Sequence, residues 1–485
     1  MATSEERKRP NGKGAGLVSA LAGKSGRYLL MYAGALLLAV VVGAAVAYSE
    51  RYGGDKGPYL VLGAFLVIAA AVAIMVQWRL GALLLVAALP LESMITLGPV
   101  ASGMKALGFL TLVSLALALL TDEKLFERFK RLWQQPLTPA VGAFVLWVAA
   151  SILWAADKGS VISATVTFLG VFGLMIIVGL LEKRWLVLAW AGFVFSAALS
   201  VPAGYILPVP EGTDWSGSGR FMPGGAGPNT YACVLAIALF VAYFWLLRRH
   251  AIIAILLSPV FLYGIFATES RTGLIALVAT PLLALFVPRL AARLGWRVLP
   301  MYVLGAVALV VIILAFPAVG ESAAERYMTL SDPANEETWN GRWSLWQGAF
   351  EVIASNPILG VGAGNFAEAA MEHSELVVAH TARKDEVAGV AHNMLLGIAA
   401  QLGLVGLILF LAILFFVFTT AVPIARRSGM GTGIFLGLIV FMFAGLTLSW
   451  ESHKIVYVLF GSILALQLHD SARRAPSLDK PEGPY

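Results

Sequence analysis

Cysteine and charge are scarce in this 485-residue sequence, and so are polar stretches of any length. A single cysteine, Cys233, lies inside an apolar run. That excludes a disulfide framework and a cysteine metal site, and it reads as a small buried hydrophobe. Charged residues make up only 13% of the chain against 59% hydrophobic, with a mean hydropathy of +0.83. A soluble domain carries about twice that share of charge, so the composition excludes an ordinary globular protein and defines an all-α polytopic membrane protein. The basic, Gly- and Ser-containing segment 1–27 precedes an ordinary apolar run and has no small-residue cleavage site. It reads as a cytoplasmic tail and not as a removable signal.

Apolar runs long enough to cross a bilayer fall at roughly 28–48, 58–78, 80–98, 103–121, 137–156, 160–181, 185–205, 228–247, 251–268, 272–288, 298–317, 392–422, 430–449 and 454–469. The expectation is therefore about 12 to 14 transmembrane helices: eleven over 28–317, a large helical loop at 318–391, three more over 392–469, and a short tail at 470–485. The third run is the weakest, because Pro90 and Glu92 interrupt it. Lys and Arg concentrate on one side of these runs, for example at Lys124, Lys183, Arg248, Arg249, Arg426 and Arg427, and fewer than half as many fall on the other. By the positive-inside rule both termini face the cytoplasm and the large loop faces outward. The net charge of +6 then serves topology and contact with anionic membrane lipid, and it implies no nucleic-acid partner.

Several stretches stand out from this apolar background. Glu92 and Lys105 lie near outer helix ends, as a charge pair or as two separately snorkelled groups. Residues 121–133 read as an amphipathic surface helix with Leu125, Phe126, Phe129 and Leu132 against lipid headgroups. A Gly-rich loop from Asp214 carries Arg220 and ends in Pro228-Asn229 at a helix start, where backbone N–H groups suit an anion. Ser270-Arg271-Thr272-Gly273 opens another helix from the outer side, where an arginine opposes both the positive-inside rule and the helix dipole. A bound anion would compensate both, and Arg suits phosphate through its bidentate fork; pairing with Glu269 is the plain alternative.

In the large loop, apolar residues at 343, 346, 350 and 353 predict an amphipathic helix whose first turn carries Arg342 beside Gly341. Ser355-Asn356-Pro357 ends it, and the turn Gly360-Val-Gly-Ala-Gly364-Asn365-Phe366 leads into a second helix near 366–378. The glycine run is no nucleotide motif, since no strand precedes it and no Lys-Ser/Thr follows. His373 and His380, near Glu372 and Glu375, lack the spacing of four that two helical metal ligands need, so they read as a solvated face. His392 falls where the loop meets a long apolar helix, at the water boundary. Taken singly it is a cap. With Arg220, Arg271 and Arg342 all assigned to the same side, each at or beside a helix start, the set has the composition of a glycosyl-transfer site: arginines for a diphosphate, a near-neutral imidazole as general base.

His392-Asn393, nine residues, then Gly403-x-x-Gly406 form one element. Gly341-Arg342 with Trp346, Asn356-Pro357-x-x-Gly360-x-Gly362-x-Gly364-Asn365-Phe366, Ser270-Arg271-Thr272-Gly273 and Arg220 with Pro228-Asn229 complete a pattern. The pattern, over about residues 200–420, resembles the O-antigen ligase and polymerase superfamily. The resemblance implies a GT-C-like membrane fold in the bacterial inner membrane that works without metal or other cofactor. It implies an undecaprenyl-diphosphate-linked glycan donor and a glycan or lipid A-core-like acceptor, and an active site facing the periplasm. Carried over by position, His392 is the catalytic base, Arg271 and Arg342 bind the diphosphate with Arg220 as a third, and Asn393, Asn229 and Gly341 support them. A ligase is the first expectation and a polysaccharide polymerase the second. A lipid-linked glycan flippase is third, because transporters place ionisable groups at mid-bilayer and here the central runs are almost free of charge.

Overall fold

A helix in hydrocarbon satisfies every backbone group within itself, so runs of this length fold as helices and nothing else. The computed structural model describes residues 57–94, 103–206, 220–246, 250–287, 290–315, 324–325, 328, 336–384 and 389–474. The expected span 28–48, the tail 1–27 and most of the tail 470–485 lie outside these. In chain order the helices are α1 (Gly57–Val76), α2 (Trp78–Ala88), α3 (Gly103–Thr121), α4 (Glu123–Trp133), α5 (Leu137–Ala150) and α6 (Lys158–Gly179). They continue with α7 (Lys183–Ile206), α8 (Pro228–Leu246), α9 (Ala251–Ala267), α10 (Arg271–Ala284), α11 (Ala291–Ala315) and α12 (Glu336–Ser355). The last are α13 (Phe366–His373), α14 (Glu375–Lys384), α15 (Met394–Ala425), α16 (Gly429–Thr447) and α17 (Lys454–Arg474).

The protein is an all-α polytopic membrane protein. Each apolar run within the described residues folds as helix, although only six helices are long and apolar enough to cross a bilayer alone, or seven with a broken pair counted as one. The interrupted third run behaves as Pro90 and Glu92 dictate: α2 stops at Ala88 and a 3₁₀ turn covers Leu89–Met94. The chain forms two compact units, residues 1–81 with 107–129, and residues 82–106 with 130–485. In the first, Ser114 on α3 donates to the Ile74 carbonyl of α1 at 2.7 Å.

The second unit is built on α8 and α16. Tyr231 to Phe244 of α8 are buried without a break, as are Met430 to Phe441 of α16. The reason is a stripe of small residues at every fourth position. A Cβ on Gly429, Gly433 or Gly437 would meet α8 at the Phe244 carbonyl oxygen (2.2 Å), the Val241 Cα (2.6 Å) or the Ile237 side chain (3.3 Å), so the two backbones lie nearly in contact. Cys233, on α8, is fully buried, as its apolar setting implies.

Several expectations are corrected. On α4, Leu125 and Leu132 are buried at 4% and 0% exposure instead of facing lipid headgroups; Leu132 lies where a Cβ on Gly179 would touch it. In the large loop, α12 begins earlier than its apolar spacing suggests, so Arg342 sits in its second turn. Trp343 and Phe350 are exposed, and the packed face runs through Leu345, Ala349 and Val352, which obey the same helical spacing one step round and let α13 and α14 approach closely. The second loop helix divides at the buried Ser374 into α13 and α14. Together α12 to α14 form a core of their own around Phe366, Ala370 and Val377. Glu92 pairs with Lys454, at the start of α17, so its partner comes from a distant part of the chain.

The large loop is fastened to the membrane helices at one break. Within α15, Gly403 adopts φ 66° and ψ −168°, a conformation open only to glycine. Around it the loop segment exchanges backbone hydrogen bonds with α15. Leu404 N–H donates to the Pro357 carbonyl (2.9 Å), Val361 N–H to Ala400 (3.1 Å) and Gly362 N–H to Gln401 (2.8 Å). A Cβ at Gly403 would lie 2.1 Å from the Ile358 carbonyl oxygen. Substitution Gly403→Ala is therefore expected to cost about 2–5 kcal/mol and lower the unfolding midpoint. Gly170→Ala on α6, where nothing lies within 4 Å, should leave the midpoint equal or slightly higher. Equal midpoints for the two purified variants would overturn this reading of the break.

Candidate functional site

Five helix starts and ends meet at one end of the second unit. The first turn of α10 is capped by Ser270, whose hydroxyl oxygen accepts the Gly273 N–H at 3.0 Å. The same hydroxyl donates to Asn229 Oδ1 at 2.8 Å, tying α10 to the start of α8. Asn229 Oδ1 also accepts Arg220 Nη2 at 3.4 Å, and Arg220 Nε donates to the Thr268 carbonyl at 2.9 Å. Arg220, only 9% exposed, thus braces the turn on which Arg271 is mounted. Glu269, just before the cap, has a positive φ of 52°, which sets the sharp entry into α10.

Next to Arg271, the Thr272 hydroxyl hydrogen bonds with the Thr447 hydroxyl at 2.8 Å, reaching the end of α16. One residue back, the Leu446 carbonyl accepts Asn393 Nδ2 at 3.3 Å. Asn393 is the cap of α15, its Oδ1 accepting the Leu396 N–H at 3.1 Å. His392 therefore immediately precedes the cap, and its φ of 47° turns it away from the helix line. Arg342 comes from α12 and lies close enough for its charge to act on the His392 ring. Burial first, and then the Arg342 charge, hold the imidazole below its usual 6.5.

The chain of bonds from Arg220 through Asn229, Ser270, Thr272, Thr447 and Asn393 brings Arg271 and His392 to one place, with Arg342 beside the imidazole. Gly341 lies next to Arg342 within α12. His373 does something different: its Nδ1 hydrogen bonds with the Ala369 carbonyl at 2.9 Å, within its own helix.

Sequence reasoning passed over one neighbouring segment, the turn between α16 and α17. Trp450, 2% exposed, directs its indole N–H to Thr230 Oγ1 at 3.5 Å, one residue from Asn229, and stacks on His453 at 4.7 Å. Glu451 Oε2 and His453 Nδ1 are enclosed, with no hydrogen-bond partner among the described residues. Burial pushes the Glu451 carboxyl up to about 7 and the His453 imidazole down to about 4. An acid and an imidazole two residues apart at a span's end were the available signal.

The fold is that of a multi-pass membrane protein, and the candidate residues Arg220, Arg271, Arg342 and His392 gather at one end of its second unit. Residues 256–411 match the family model described as O-antigen ligase. That match assigns the segment carrying Arg271, Arg342 and His392 to the O-antigen ligase and polymerase superfamily, membrane enzymes of O-antigen and related glycan assembly; Arg220 and Asn229 fall before it. No curated protein matches the chain.

Two titrations test the electrostatics. With its folded value depressed, His392 binds fewer protons folded than unfolded, so its contribution to stability falls as pH drops below 6.5. In spectra of histidine-labelled protein its ring should be neutral at pH 7, and Arg342→Gln should move its titration upward; an unmoved midpoint would separate the two residues. Glu451 has the opposite sign: raised from 4.5 to about 7, it costs stability as pH rises through that window. Thermal midpoints of Glu451→Gln should therefore exceed those of the parent at pH 8 and converge with them near pH 4.

Proposed function

We propose that the protein is a metal-independent glycosyltransferase that moves a glycan from an undecaprenyl-diphosphate-linked donor to an acceptor hydroxyl, at the outer face of the bacterial inner membrane. The observation that carries this reading is the convergence of Arg271 and His392 through the Thr272–Thr447 and Asn393–Leu446 bonds, with Arg342 beside the imidazole. Arg271 and Arg342 hold the donor's diphosphate, each able to grip two phosphate oxygens. Arg220 adds its charge from behind, with Nε and Nη2 engaged by the protein.

The acceptor hydroxyl gives its proton to a ring nitrogen of His392 as its oxygen attacks the anomeric carbon. The bond from that carbon to the phosphate oxygen breaks, and undecaprenyl diphosphate leaves with the bonding pair, its developing charge met by the arginines. Attack opposite the leaving group inverts the anomeric centre. The low-lying imidazole value keeps the base neutral at pH 7, which this step requires. Asn393 fixes the backbone that carries it.

The acceptor is a lipid A-core-like glycan in the first reading and another lipid-linked repeat in the second, with the flippase reading third. Both termini face the cytoplasm in all three. Purified protein given lipid-linked glycan should release undecaprenyl diphosphate, and product size then separates one-step ligation from chain growth. His392→Ala should lower transfer by about 10² to 10⁴-fold. Arg271→Lys keeps the charge but loses the bidentate grip, so undiminished turnover in that variant would remove the phosphate role. Full transfer by His392→Ala would remove the base.

A further inference from the structure

The second unit has a cavity of about 650 Å³ at its other end. It opens where α7 begins, α8 finishes, α15 passes into α16 and α17 nears its last turn. The stretch of α15 from Gly403 to Ala425 alone is about 33 Å long, so this cavity and His392 lie on opposite ends of the helices. No residue of the proposed transfer site reaches it.

Its lining is two-sided. Lys183 and Arg427 offer cationic groups and His250 a ring nitrogen, while His469 Nε2 hydrogen bonds with the Leu181 carbonyl at 3.4 Å; the one carboxylate in the lining, Asp470, pairs with Arg427 at 2.9 Å. Ser428 and Gly429 add the first turn of α16, where Ser428 satisfies only the Gly431 N–H, at 2.9 Å, and the remaining first-turn N–H groups carry the positive end of the helix dipole. The rest of the wall is apolar, through Val187, Trp245 and Leu466. A free phosphate would fill a small part of this space and leave the apolar wall bare. A molecule with an anionic head and hydrocarbon close behind it matches both parts, and a tryptophan at that junction suits the headgroup level of a bilayer.

We propose that this cavity binds the phosphodiester headgroup of an anionic phospholipid, held by Lys183 and Arg427, with the first part of its acyl chains against Val187 and Trp245. The site is separate from glycan transfer. It would seat the helix ends in the leaflet opposite His392 and join α7, α8, α16 and α17 through a shared ligand.

The test uses full-length protein in detergent, titrated with phosphatidylglycerol or cardiolipin, with phosphatidylcholine, or with inorganic phosphate, and read by native mass spectrometry and thermal shift. Anionic lipid should be retained and should raise the midpoint, and phosphatidylcholine should do neither. Lys183→Gln and Arg427→Gln should each weaken retention about fivefold. Because Arg427→Gln also breaks the pair with Asp470, two further variants guard against misfolding. Asp470→Asn should retain lipid at least as well as the parent, and Val187→Trp should block binding without changing charge. Equal retention of phosphatidylcholine overturns the proposal. Indifference to Lys183→Gln, Arg427→Gln and Val187→Trp overturns it as well, and inorganic phosphate protecting as well as lipid would assign the cavity to a free anion.

Discussion

A helix leaves its first N–H groups without partners inside its own ladder, and a side-chain cap at the membrane edge satisfies one of them and fixes where the helix begins. The side chains that answer this demand are the nodes of the site. Ser270 closes the first turn of α10 and, with the same oxygen, donates to Asn229; Asn393 closes the first turn of α15 and, with its amide nitrogen, holds the Leu446 carbonyl. Each cap thus satisfies its own helix and fixes a second one. A charged residue mounted next to such a cap inherits its position from two helices at once. Arg271 and His392 are both mounted that way.

The third contributor, Arg342, comes from the large loop and needs a different restraint. The loop is held where α15 breaks at Gly403, because a conformation closed to other residues turns backbone groups outward and lets Pro357, Val361 and Gly362 bond to them. Neighbouring helices reinforce the join: Trp147 donates to the Leu402 carbonyl at 3.0 Å, Asn365 receives the Asp157 N–H at 2.8 Å, and Ser151 receives the Ala363 N–H at 3.1 Å. The core of α12 to α14 then carries Arg342 from this anchor to the imidazole. The sequence suggests a turn for residues 360–364; in the fold its backbone N–H groups are bonded to α15 through Ala400 and Gln401 and to Ser151.

Much of this was readable from residues alone, and the division has a physical basis. Long apolar runs have one solution in a bilayer, so the helices fall where they are expected. Helix starts at Pro228 and Arg271 follow from local chemistry, since Pro suits the first position and Ser the cap. What escaped was everything set by partners far apart in the chain. Leu125 and Leu132 alternate correctly for a lipid surface yet are buried, because amphipathicity does not say what lies against the apolar face. Trp343 and Phe350 are the bulkier apolar groups, but the face that packs is that of Leu345, Gly348, Ala349 and Val352, where a Cβ on Gly348 would lie 2.6 Å from Val377. Arg220 reads as a ligand for an anion, and nothing local in the sequence discloses that it also braces a turn through Thr268 and Asn229. Glu451 and His453 are ordinary in sequence, because their burial is set by tertiary packing; even their neighbour Trp450 finds its partner, Thr230, more than two hundred positions away.

The proposed chemistry gains something from the arrangement that neither residue type supplies alone. Arg342 acts on His392 as a like charge and lowers its affinity for a proton, which keeps the ring neutral but also makes it a weaker base. A diphosphate bound between Arg342 and Arg271 reverses that balance, since its negative charge offsets the guanidinium that depresses the imidazole. The base then strengthens only when a donor is in place. As the glycosidic bond breaks, negative charge grows on the departing diphosphate while positive charge grows on His392, and each stabilises the other across the site. In the proposed reaction, His392 is then a weaker base before the donor binds and a stronger one beside it, so that proton uptake is coupled to the presence of the diphosphate.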